Sequence, residues 1–168
     1  MAATLVWRLT GGASNSDPNA SLGGVMSSNA LSETALNNLF DDVSAAEAVA
    51  GDIEYRAVDL YNSGDETATS VTAWFHSQTS SPDTAAAMGK DASSGDPHAS
   101  AADLETIANE GTAPSSPSIS FTEATEVAPL SITDIPAGQA CRVWIRRTVS
   151  DGAGNTSNDA MTLRAQYA

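Results

Sequence analysis

Apolar and polar residues alternate with a period of two along several short stretches of this chain, the spacing that gives a β-strand one inward and one outward face. The clearest stretch is CRVWIRRTV at 141–149. Cys141, Val143, Ile145 and Val149 share one face, which Arg147 interrupts, and Arg142, Trp144 and Arg146 line the other. Beyond the turn-forming SDGAGNTSND, Met161, Leu163, Ala165 and Tyr167 alternate with Thr162, Arg164 and Gln166. Ile119 with Phe121, and Leu130 with Ile132, repeat the same spacing. DIEYRAVDLYN (52–62) and TSVTAWFHS (69–77) are strand-forming runs separated by SGDETA, and this order predicts a hairpin. In the second run Val71, Ala73 and Phe75 are expected to point inward, with Trp74 on the opposite face.

Helical spacing is sparse. Ala35, Leu36, Leu39 and Phe40 in SETALNNLF predict two helical turns over 32–40. Ser44 and Glu47 have capping-box spacing ahead of an alanine-rich run that Gly51 closes, which predicts a short helical turn. No amphipathic helix of about 10–15 residues separates any two strands, so parallel crossovers are excluded. The pattern predicts an all-β fold, an antiparallel β-sandwich of six to eight strands, immunoglobulin-like or jelly-roll-like, with an extended N-terminal arm and one or two short helical turns. Residues 1–30 form the N-terminal strand and arm, with TLVWRL as the strand and GGASNSDPNASLGG within the arm. Residues 31–168 form the sandwich domain, with a long irregular excursion at 79–117 whose apolar islands are Ala85 to Met88 and Leu104 to Ile107.

Composition thins the expected core. Of 168 residues 41% are hydrophobic, but 30 of them are alanine, and Leu, Ile, Val and Phe together number only 28. With a net charge of −14, such a chain is expected to gain stability from partner subunits. Seven basic residues against 21 acidic ones argue against nucleic acid, whose phosphates are bound through Lys and Arg. No apolar run has the length of a membrane span, and the start of the chain lacks the order of a secretory signal. One cysteine, Cys141, makes neither an intramolecular disulfide nor a zinc knuckle.

Candidates for chemistry are few. His76 and His98 are the only histidines, and neither sits in a recognisable nucleophile–base motif. An enzyme would need one of them beside an acid and a nucleophile in a cleft. Acid pairs such as Asp41 with Asp42, or Asp103 with Glu105, lack the aromatic surroundings of a glycosidase cleft. The loop 151–159 carries oxygen ligands at Asp151, Asn155, Asn158 and Asp159 but not the order of a calcium loop, and a turn explains it equally. No cofactor or metal site is expected. Arg142, Arg146 and Arg147, gathered around Trp144, read either as cross-strand pairing with acids or as a protein-contact patch, since Arg and Trp dominate interfaces. Trp7 and Arg8 on the first strand are expected to add to that contact, against the alternative that this strand completes its own sheet.

NLFDDVSAAEAVAGDIEYR (38–56), leading through YNSGDETATSVTAWF, resembles a segment recurrent in virion structural proteins of tailed bacteriophages and prophages. The closing IPAGQACRVWIRRTVSDGAGNT is similar to their penultimate hairpin, and the two matches span about half the chain, chiefly 38–76 and 130–168. The resemblance implies a non-enzymatic capsid decoration, or cement, protein on the outside of an assembled head. It implies synthesis in the host cytoplasm, the major capsid protein as partner, and self-association, with a homotrimer expected. The alternative within the class is a tail or baseplate module that recognises a host surface or glycan. The excursion at 79–117 has no counterpart in the resemblance.

Overall fold

The computed structural model describes residues 2–35, 37–93, 96–99, 104–115 and 118–168, and shows an all-β sandwich of two antiparallel sheets. The strands are β1 (Leu5–Arg8), β2 (Asp52–Asn62), β3 (Thr72–Ser77), β4 (Thr84–Lys90), β5 (Leu130–Ser131), β6 (Ala140–Val149) and β7 (Thr162–Gln166). The larger sheet has the order β1-β2-β6-β4 and the smaller β5-β3-β7. Helix α1 (Ala45–Ala50) begins at Ser44, whose hydroxyl accepts from Glu47 N while Glu47 reaches back to Ser44 N, as the capping-box spacing predicts.

The core follows from the alternation. Val58 and Leu60 of β2, Ala86 and Met88 of β4, and Cys141, Val143 and Ile145 of β6 face Val71, Ala73, Phe75, Ile132 and Ile135. Leu60, Met88 and Ile145 are wholly removed from solvent, each contributing about 1.5–3 kcal/mol. Trp74, expected on the outward face of its strand, is also buried and belongs to the same cluster.

Three expectations need correction. The runs 52–62 and 69–77 do not form a hairpin: β2 lies in the larger sheet between β1 and β6, and β3 lies in the smaller one. Both edges of β2 are taken, and Asn62 at its end diverts the chain. Its amide donates to Glu66 O and Ile135 O and its carbonyl oxygen accepts from Thr4 N and Gly64 N, so the connection crosses to the other sheet. In the same way β6 lies in the larger sheet while β5 before it and β7 after it lie in the smaller one, so 135–156 is not part of a hairpin either. Residues 32–40 are not helical among those described, and Leu36 lies outside them. Asn38 Nδ2 donates to Ser32 O and Thr34 O, capturing carbonyls a helix would use, and Asn37 has a φ of 51°. Leu39 and Phe40 still reach the core.

The excursion is more ordered than its composition suggests. The island Ala85 to Met88 is part of β4, which pairs with β6 from Thr84↔Val149 to Lys90↔Val143. Leu104 and Ile107 are buried, and Thr106 bridges Gly23 of the arm.

Candidate interaction surface

Period two in β6 sends Arg142, Trp144 and Arg146 to the side of the larger sheet that faces away from the sandwich core. That side is not open. Arm residue Leu22, excursion residue Ile107, and Ile119 and Phe121 just beyond the excursion cover it, packing with Ala57 and Tyr55 around Trp144. Thr10 and Ser21 hold the arm down, since both hydroxyls donate to Ala57 O, at 3.1 and 2.6 Å.

Arg142 and Trp144 are fully buried. Arg142 Nε and Nη2 donate to the two carboxylate oxygens of Asp59, at 2.7 and 3.0 Å, and Nη2 also donates to Gly24 O at 2.6 Å. His98 Nε2 lies 3.2 Å from Asp59 Oδ1. Burial alone would lift the Asp59 carboxyl, but Arg142 and His98 outweigh it and hold the group below the usual range. Trp144 Nε1 donates to Asp91 Oδ2 at 3.5 Å. Arg146 is half-buried with its guanidinium over Phe121, at 5.2 Å. Of the five residues expected at a protein contact, Trp7, Arg8 and Arg146 thus keep some exposed surface. Arg142 and Trp144 spend theirs on the chain itself. Arg8 stacks on Tyr61 at 3.8 Å, and β1 pairs with β2 in its own sheet.

On the core side, Glu54 of β2 sits opposite Arg147 of β6 and pairs with it, and Asp41 O accepts from Arg147 Nη1 at 2.6 Å. Arg56 pairs with Glu110 at 2.5 Å, and both guanidiniums lie over the ring of Phe40, Arg147 at 4.9 Å and Arg56 at 5.3 Å from its centroid. The carboxylates of Asp41, Glu54 and Glu110 come within 4.8 Å of one another, the spacing of a cation site. Two guanidiniums already supply the countercharge there. Burial raises the Glu54 carboxyl, with Arg147 opposing it.

His76 is exposed on β3. His98 has its acid in Asp59, yet the pair is enclosed and Asp59 is committed to Arg142; His98 Nδ1 meets no hydroxyl. In the loop 151–159, Asp159 Oδ1 accepts from Ser80 N and Ser81 N, and Gly154 N donates to Asp83. These carboxylates fasten the loop to residues 80–83. A recess of about 360 Å³ opens beside Leu9, Pro18, Asn29, Ala30 and Asn38, with amide and hydroxyl groups but no aromatic side chain among its described walls.

The surface that sequence reasoning missed is on α1. None of its six residues is buried, and Val43, Val49 and Ile53 in and around it are 37%, 76% and 44% exposed. The turn is nevertheless fixed, by its capping box at one end and by Ala153 N donating to Ala48 O at the other. Asp42, Ser44 and Asp151 are exposed around it. A short capped turn rich in Ala and Val, followed by Ile53, was the available signal in the sequence. No protein-family model matches the chain, and neither a curated protein nor a solved structure matches it.

Proposed function

We propose that this chain is a non-enzymatic structural protein of a tailed-bacteriophage particle, which decorates and stabilises the outside of the capsid as an oligomer, a homotrimer in the simplest case. Its partners in this reading are the major capsid protein and its own copies. The observation that carries the reading is a coincidence of position. Residues 38–56, which resemble phage virion proteins, also contain the fixed turn that turns Val43, Val49 and Ile53 toward solvent. A rigid apolar projection on an acidic domain suits docking into a preformed hollow, because little ordering entropy opposes binding. Repetition over a shell multiplies individually weak contacts into lasting attachment.

The test is reconstitution. Particles stripped of this protein and given it back are expected to recover it on heads and to regain heat resistance; binding only to tails overturns the assignment. Val49→Asp combined with Ile53→Ser is expected to abolish recovery without altering the fold, since neither side chain is buried.

A further inference from the structure

The two sheets have four edges, and three are closed by the chain itself. Residues 29–31 run along β1, with Leu31 N donating to Trp7 O, Leu9 N to Asn29 O, and Arg8 bridged to Ala30. Along β4, Met88 and Thr122 exchange backbone hydrogen bonds of 2.8 and 2.9 Å, the Gln78 amide donates to Ala86 O, and the Thr79 hydroxyl donates to Thr84 O. β5 is two residues long and follows Pro129, which has no N–H to offer. Such devices keep sheet edges from pairing with other chains.

β7 has none of them. It is the terminal strand of the smaller sheet, pairs only with β3, and among the described residues no hydrogen bond reaches its other edge. Its core-facing side chains Leu163 and Ala165, with Met161 just before, are only partly buried because the sheet stops there. On the other face stands Arg164. Of the cations described, it is the one with no hydrogen bond, ion pair or ring contact, on a molecule of net charge −14. Lys90 bonds Ile132 O, Arg8 and Arg146 lie on rings, and Arg56, Arg142 and Arg147 are in ion pairs.

We infer that the open edge of β7 takes up an extended segment of a partner protein, in which apolar residues alternate with polar ones and an acidic residue stands opposite Arg164. Main-chain hydrogen bonds would continue the sheet, and the apolar residues would complete the half-covered layer over Leu163 and Ala165. The carboxylate selects the segment, because Arg164 is otherwise unopposed. A second copy is disfavoured as occupant: two β7 strands paired about their centres would set Arg164 against Arg164, and like charges directly opposite are destabilising. This inference does not depend on the virion reading.

The probe is a synthetic strand peptide of alternating valine and threonine with one central aspartate, its amides methylated along one edge to stop self-pairing. Titrated into the intact chain, it should shift the amide resonances of Thr162 to Gln166. The same peptide with lysine in place of aspartate should bind about tenfold more weakly. Arg164→Glu should invert that preference, Arg164→Lys should preserve it, and methylation of both peptide edges should abolish binding. Shifts scattered away from β7, equal affinity for the two peptides, or no shift at millimolar peptide would overturn the inference. So would sedimentation showing self-association of the chain alone that Arg164→Glu removes, which would assign the edge to a second copy.

Discussion

Asp59 on β2 stands directly across the ladder from Arg142 on β6, and the two fully buried side chains meet through a paired contact of 2.7 and 3.0 Å. Arg142 also grips Gly24 of the arm, and His98 of the excursion reaches the same Asp59 carboxylate. One cross-strand pair therefore fastens both covering segments to the sheet. The acidic excess of the chain makes this necessary, since a buried carboxylate without a cation would resist folding.

Arg142→Met should destabilise the fold by about 3–5 kcal/mol, because it strands Asp59 without its main partner in the interior. Adding Asp59→Asn should recover part of that loss, since the remaining group is then neutral. Chemical denaturation of the two single variants and the double variant checks this. Equal, additive losses would show that the pair is not coupled.

Gly89 on β4 is fixed by crowding rather than by backbone angle. A Cβ placed there would lie 2.3 Å from Ile119 Cγ2 and 2.7 Å from Ser120 O. The carbonyl belongs to the segment just after the excursion that covers Trp144, so it has little freedom to retreat. Gly89→Ala should cost about 1–3 kcal/mol and loosen that cover, seen as faster exchange of the Thr122 amide.

How much of this was legible depends on the range of the interactions. The two faces of β6 follow from local alternation, and residues 44–51 announce their own capped helix, so both can be read directly. The cover over Trp144 cannot. Leu22, the island ending at Ile107 and the pair Ile119 and Phe121 are short apolar runs far apart in the chain, and only the fold gathers them. Adjacent strands usually pair, which is why 52–77 reads as a hairpin; the four hydrogen bonds of one amide, Asn62, decide otherwise. Cross-strand pairing was one of two readings open for the arginine stripe. The register Asp59↔Arg142 realises it for Arg142, while Arg146 lies on an aromatic ring instead.

Cys141 should be inert in the native state. Its side chain is fully buried in the core, and burial first, then the nearby Asp96, push the thiol well above its ordinary range. Thiolate is the reactive form, so labelling by a disulfide reagent at pH 8 should be limited by unfolding. Its rate should rise in Arg142→Met by about tenfold for each ~1.4 kcal/mol of stability lost. Fast, stability-independent labelling would show that the excursion opens locally.

Asp96 provides the fold's clearest pH dependence. Its Oδ1 accepts from Arg142 N at 3.0 Å, while Oδ2 is buried without a partner. Burial raises its carboxyl from 3.8 to about 6, against the smaller opposing effects of the Arg142 amide, Cys141, Lys90 and His98. Between those two values the folded chain holds a proton that the unfolded chain has released. Stability from this group is therefore fully present below pH 3.8 and is lost as pH rises toward about 6. Asp59 acts in the opposite sense at lower pH, because its folded value is depressed, while the raised Glu54 carboxyl acts in the same sense as Asp96, so the total curve mixes both slopes. Subtracting Asp96→Asn isolates the one of interest, because asparagine keeps the carbonyl that Arg142 N needs and carries no titrating proton. The wild type should lose stability relative to that variant as pH rises from 4 to 6, with a plateau above about 7. A flat difference across the window would place the Asp96 carboxylate in water rather than buried against β6.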